Sequence, residues 1–124
     1  MIGIGTDIVQ IERVEAVWRR QGERFVNRIL TPPERVECDQ AHQPWRYLAK
    51  RFAAKEAIAK CFSTGIGKDL SWQDMTIERS GSGAPVVVLS ATGRELAATK
   101  GGREVLLSIS DEQEYAVAFA VLVP

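Results

Sequence analysis

The stretch Trp45-Arg-Tyr-Leu-Ala-Lys-Arg-Phe-Ala-Ala-Lys-Glu-Ala-Ile-Ala-Lys-Cys-Phe62, followed at once by Ser63-Thr-Gly-Ile-Gly-Lys68, decides how the rest of the chain is read. Alanine, leucine and long unbranched side chains favour helix, and apolar Trp45, Leu48, Phe52 and Ala59 recur at spacings of 3, 4 and 7. The pattern predicts one long amphipathic helix. On it Arg51 and Lys55 lie one turn apart, and Phe52, Glu56 and Lys60 share the next face round, so one acid stands among cations. Glu56 then has two readings. It forms an exposed i,i+4 ion pair with Lys60, worth only a few tenths of a kcal/mol, or it belongs to a site. A second carboxylate elsewhere in the chain bears on that choice.

Residues 2 to 9 read Ile-Gly-Ile-Gly-Thr-Asp-Ile-Val. As a strand of period two, they put Ile2, Ile4 and Ile8 on one side and Gly3, Gly5 and Asp7 on the other. The glycines leave a bare backbone that a ligand or another backbone can approach closely, and the first functional side chain on that bare face is a carboxylate. A dinucleotide-binding phosphate loop needs a third glycine, but Ile8 stands in its place, so that reading is rejected. Asp7 remains either a strand-end or helix-start acid or a ligand.

With 124 residues, 45% apolar and 26% charged, the chain fits a single soluble domain over 1–124. No apolar run approaches the roughly 20 residues that cross a bilayer, and the start lacks a signal-peptide pattern, so no membrane association and a cytoplasmic location are expected. Cys38 and Cys61 are too few and too far apart for a disulfide framework or a zinc knuckle, and are expected as reduced thiols. His42, the single histidine, falls in a turn with Gln43-Pro44, which disfavours His-based nucleophilic catalysis and zinc chemistry. Sixteen basic residues against sixteen acidic ones argue against nucleic-acid binding.

From Ile11 to Ile29 the apolar spacing suggests one or two short helices broken near Gly22. Between Arg13 and Arg28 five arginines stand against two glutamates, either a solvated face or a patch awaiting an acidic partner. Thr31-Pro-Pro-Glu34 reads as a helix start with a capping box. After the long helix, Gly65 and Gly67 read as a helix cap and loop. Strands over Met75–Arg79 and Pro85–Leu89, joined by Ser80-Gly-Ser-Gly83, form a hairpin. A helix over Ala91–Thr99 and strands over Val105–Ser110 and Tyr115–Val123 complete the chain. The expected fold class is α+β, with a small, largely antiparallel sheet packed on the long central helix.

If the bare-faced strand packs beside that helix, Asp7 and Glu56 converge among Arg51, Lys55 and Lys60. Such a set suits magnesium and phosphate, because magnesium takes one or two protein carboxylates and fills its octahedron with water and phosphate oxygens. Phosphoryl transfer depends mainly on positioning and electrostatics, so a missing catalytic histidine is no objection.

Gly3-Ile-Gly-Thr-Asp-Ile-Val9, Arg51-Phe-Ala-Ala-Lys-Glu-Ala57 and Lys60-Cys-Phe-Ser-Thr-Gly-Ile-Gly67 together resemble the signature of bacterial holo-acyl-carrier-protein synthases, which are 4'-phosphopantetheinyl transferases. The likeness extends through Arg28-Ile-Leu-Thr31, Gly83-Ala-Pro85 and Ser108-Ile-Ser110, in order over essentially the whole chain. The resemblance implies transfer of the phosphopantetheine arm of coenzyme A to a serine of apo-acyl carrier protein, with release of adenosine 3',5'-bisphosphate. It also implies a magnesium-dependent homotrimer with sites between subunits.

On this resemblance Asp7 and Glu56 match the magnesium ligands, and Asp7, Glu56 and Lys60 the catalytic positions. Arg51, Lys55 and Lys60 match cations near the phosphates, and Gly65, Pro85 and Ser108 match cofactor contacts. Arg13, Arg20, Arg24 and Phe25 match the surface that docks the acidic helix of the carrier protein. Two positions depart from the pattern: Asp111 stands where many relatives have histidine, and Ala84 where lysine is frequent. An acid at 111 would repel an adenosine phosphate. A non-catalytic coenzyme A or carrier-protein binding module is the alternative reading.

Overall fold

The computed structural model describes residues 2–124. Strand β1 (Gly3–Gln10) leads into helices α1 (Ile11–Gln21), α2 (Glu23–Ile29), α3 (Pro32–Gln40) and α4 (Pro44–Cys61). A 3-10 turn at Trp72–Asp74 opens the hairpin β2 (Met75–Arg79) and β3 (Pro85–Leu89), and α5 (Ala91–Thr99), β4 (Glu104–Asp111) and β5 (Tyr115–Val123) follow. The α+β class and the order of elements are as expected, and all pairings are antiparallel. One point differs. The strands form two sheets, β1-β5-β4 and β2-β3; α5 follows β3 in the chain, and among the described residues no ladder joins the hairpin to the larger sheet.

Local chemistry sets the joints. Gly22 adopts φ 57°, a conformation open to a residue without Cβ, and there α1 gives way to α2. At α3, Thr31 and Glu34 cap each other's backbone N–H groups with proline at the first turn.

Helix α4 is central, as expected, and it is buried on more sides than the single apolar stripe of its spacing predicts. Leu48, Ala49, Ala53, Ala54, Ala57, Ile58 and Ala59 are wholly buried around its circumference, which makes it the axis of the core. Its first half packs with Ile11, Val14, Phe25, Val26, Ile29 and Leu30 of the short helices and their exit. Its second half packs with Met75, Ile77, Val105, Ala118, Ala120 and Leu122 of the sheets. Small side chains allow this. On β5 the inward positions are Ala116, Ala118, Ala120 and Leu122, and on β1 they include Gly3 and Gly5. A Cβ on Gly5 would run into Ala57 O and lie 2.8 Å from Cys61 N, so the helix backbone fills the space that glycine leaves.

The opposite face of the three-stranded sheet carries the large apolar residues. Ile4, Val121 and Leu106 form one cross-strand row, Thr6, Phe119 and Ser108 the next, and Ile8, Val117 and Ser110 a third. Ile4, Ile8, Leu106, Val117 and Phe119 are all exposed.

Candidate active site

Because β1 lies directly on α4, the residue two positions beyond Gly5 on the same face meets the helix one turn from its end. That residue is Asp7. Lys60 Nζ donates to Asp7 Oδ1 at 3.1 Å and to the Thr6 carbonyl at 2.9 Å. Glu56 lies one turn back on α4, and among the described residues it forms no ion pair within 4.0 Å. Burial raises its pKa, the charge of Asp7 raises it further, and Lys60 opposes both. Two half-buried carboxylates and an ammonium therefore share one corner between strand and helix. Two hard oxygen donors, with no third acid, histidine or cysteine grouped beside them among the described residues, fit magnesium, which leaves most of its positions to water and phosphate.

A second cluster lies across the sheet. Lys50, Arg51, Arg79, Gly83, Pro85 and Ile109 line a cavity of about 140 Å³. Arg51 is 3% exposed, with its guanidinium stacked 4.5 Å above the Tyr47 ring and 3.9 Å from Glu37, whose carboxylate accepts a 2.8 Å bond from Tyr47 Oη. Its Nε has no hydrogen-bond partner, although it is buried. An unsatisfied cationic donor in a pocket with two further cations suits an anion. Ile109 is in register with Ala118, and Ala118 with Asp7. The pocket and the carboxylate pair are thus two strand spacings apart, roughly 10 Å.

A model of the 4'-phosphopantetheinyl transferase superfamily matches residues 3–120. The chain belongs to that superfamily. The holo-[acyl-carrier-protein] synthase of Vibrio parahaemolyticus is 47% identical over 122 residues, covering 98% of this chain and 97% of that protein. The crystal structure of the Neisseria meningitidis holo-[acyl-carrier-protein] synthase superposes with a TM-score of 0.94 at 40% identity, covering 100% of this chain and 99% of the other. A Helicobacter pylori synthase, solved in complex with coenzyme A, superposes with a TM-score of 0.84 at 36% identity over 96% and 98% of the two chains.

Within this member of the superfamily, the fold brings the residues singled out by sequence together in two places. Asp7, Glu56 and Lys60 meet, and Arg51 meets Pro85. Lys50 and Arg79 join the second pair, and sequence reasoning missed both. Lys50 directly precedes Arg51, and Arg79 closes the strand before the Ser-Gly-Ser-Gly turn, but neither position signals a pocket without the fold.

Two residues stand elsewhere than expected. Lys55 is wholly buried, and its Nζ donates to Ile29 O at 2.7 Å, Glu34 Oε1 at 2.7 Å and Trp72 O at 3.1 Å. An ammonium has three donors, so none is left for a phosphate. Burial lowers its proton affinity and Glu34 opposes the shift. Glu34 also caps Thr31 and accepts from Ile77 N at 2.8 Å, so the pair ties α3, α4 and β2 together. Phe25, expected on a docking surface, is 5% exposed within the core beneath α1 and α2, because it lies on the apolar side of a helix turned inward.

Ser108 stands on the outer sheet face, away from Asp7 and Glu56. Gly65, with φ 68°, caps α4, and its N–H donates to Ala59 O at 3.3 Å. Arg13, Arg20 and Arg24 are exposed on α1 and α2. The thiols of Cys38 and Cys61 are free and buried, and burial foremost raises both pKa values to about 11, which leaves neither as a nucleophile.

Proposed function

We propose that this chain transfers the 4'-phosphopantetheine arm of coenzyme A to a serine of apo-acyl carrier protein, giving holo-acyl carrier protein and adenosine 3',5'-bisphosphate. The observation that carries the reading is the meeting of Asp7, Glu56 and Lys60 where β1 crosses α4. Relatives named for this reaction across nearly the whole chain, one of them bound to coenzyme A, support it.

In this reading Asp7 and Glu56 hold magnesium. When bound, the ion offsets the charge of the pyrophosphate and of the leaving phosphate oxygens. Lys60 adds an ammonium beside the same phosphates. The serine oxygen forms a bond to the β-phosphorus, the bond from that phosphorus to the bridging oxygen breaks, and the electron pair leaves with adenosine 3',5'-bisphosphate. Glu56, half withdrawn from water, accepts the serine proton. Arg51, with Lys50 and Arg79 near Pro85, receives the remaining phosphate charge of the cofactor, and Gly65 keeps the loop after α4 open beside it.

The exposed rows Ile4–Leu106, Thr6–Ser108 and Ile8–Ser110 support assembly into a homotrimer through this face. Ser108, remote from Asp7 in its own chain, then serves a site between subunits. Arg13, Arg20 and Arg24 form the docking face for an acidic carrier-protein helix. No helix among the described residues is long and apolar enough to cross a membrane, and a cytoplasmic location is part of the proposal.

Incubation with coenzyme A, magnesium and apo-carrier protein, followed by mass spectrometry, tests the reading. A carrier protein heavier by one phosphopantetheine arm supports it. Binding of both partners with no mass gain would leave a non-catalytic binding module.

A further inference from the structure

An ion pair between Arg46 and Asp111 stands beside the cationic pocket. Arg46 precedes Lys50 by one turn on α4, and Asp111 follows Ile109 by two residues on β4, so this pair adjoins two residues that line the pocket. Arg46 Nη2 donates to Asp111 Oδ2 at 3.1 Å and to the Glu112 carbonyl, and Nη1 donates to Gln113 O at 3.1 Å. One guanidinium thus holds the β4–β5 turn by two backbone acceptors while pairing the acid. Asp111 also lines a groove of about 270 Å³ on the outer face with Ser110, Glu112 and Tyr115, and among the described residues no cation lines that groove. Without Arg46, Asp111 would stand two residues from Ile109 of the pocket lining with no ion-pair partner among the described residues.

We propose that Arg46 is a positioning residue for the anionic cofactor: by pairing with Asp111 and fixing the β4–β5 turn, it keeps an acid's field out of the Lys50, Arg51 and Arg79 pocket. The inference rests on the reading of that pocket as a coenzyme A phosphate site. A unit charge some 8 Å from a phosphate, in a medium between protein surface and water, changes binding by roughly two- to thirtyfold.

Calorimetry with coenzyme A and steady-state transfer kinetics on R46M, D111N and the double variant R46M/D111N test it. R46M raises Kd and KM for coenzyme A about tenfold, while kcat and KM for carrier protein change less than threefold. Adding D111N to R46M brings both constants back to within threefold of wild type, because the uncompensated acid is gone. D111N alone binds coenzyme A about threefold tighter, since Arg46 stays anchored on the two carbonyls with its charge released. This last measurement does not depend on R46M folding.

A double variant as weak as R46M would reduce Arg46 to a turn clamp and overturn the proposal, as would equal losses for coenzyme A and carrier protein, or weaker coenzyme A binding by D111N. Wild-type protein that binds coenzyme A but yields no modified carrier protein would sink the transferase reading, and the binding arm would still decide the role of Arg46.

Discussion

Lys60 reaches past Glu56, its neighbour one turn back on α4, to donate to Asp7 Oδ1 at 3.1 Å across 53 residues of sequence. The local i,i+4 ion pair that the helix offers is therefore replaced by a long-range one. Glu56 keeps a raised pKa, caused first by burial and then by Asp7. A carboxylate held in this way opposes folding slightly, and a bound cation would relieve that cost.

Asp7→Asn and Glu56→Gln should each lower transfer at least 100-fold while leaving the fold intact. Glu56→Gln removes a partly desolvated charge beside another acid, so its melting temperature should equal or exceed that of wild type. A thermal melt beside the activity assay checks both parts. Activity within tenfold of wild type in either variant would remove the metal assignment.

Magnesium should raise the melting temperature of wild-type protein and leave both carboxylate variants unmoved, because a ligand that binds only the folded state stabilises it by mass action. A chelator should abolish transfer, and restored magnesium should return it. An equal shift in all three proteins would place the ion elsewhere.

Lys55→Met should fail as a folding variant. It strands Glu34 without its ammonium in the core, a loss of about 3–5 kcal/mol out of a typical stability of about 5–15 kcal/mol. Urea unfolding measures it. A stable Lys55→Met protein with only a raised KM for coenzyme A would show that this lysine meets phosphate after all.

Arg13→Glu or Arg24→Glu should raise KM for carrier protein at least fivefold more than KM for coenzyme A, through lost charge complementarity. Phe25→Ala should cost about 3–5 kcal/mol of stability, as a buried aromatic does, with no selective effect on carrier-protein KM. Equal effects on both substrates would move the docking surface elsewhere.

Acid stability should depend on Asp74. Burial alone would raise its pKa, but bonds from the Ser71 N–H and from the Ser90 and Ser71 hydroxyls outweigh that and hold it below the usual 3.8. A depressed folded pKa gives stability that is complete above 3.8 and is lost as pH falls through the folded value. Asp74→Asn should flatten this acid limb in a denaturation series between about pH 5 and 2. An unchanged limb would contradict the assignment.

The sequence by itself determined what depends on neighbours along the chain. The break at Gly22, the Thr31–Glu34 capping box, the hairpins and the span of α4 all follow from local spacing and turn chemistry, and the structure agrees with each. Gly3 and Gly5 announced a close approach without naming what would approach. Only the tertiary structure decided that it is the backbone of α4, because a bare strand face has no side chain to encode its partner. Burial was likewise out of reach. Lys55 and Glu56 are adjacent on one helix, yet the fold closes three acceptors over the first and leaves the second without a cation partner among the described residues. A helix buried on most sides carries no single stripe from which to read direction. Which of its charges are enclosed in the core and which stay at the strand corner was settled by the strands and helices that packed around it.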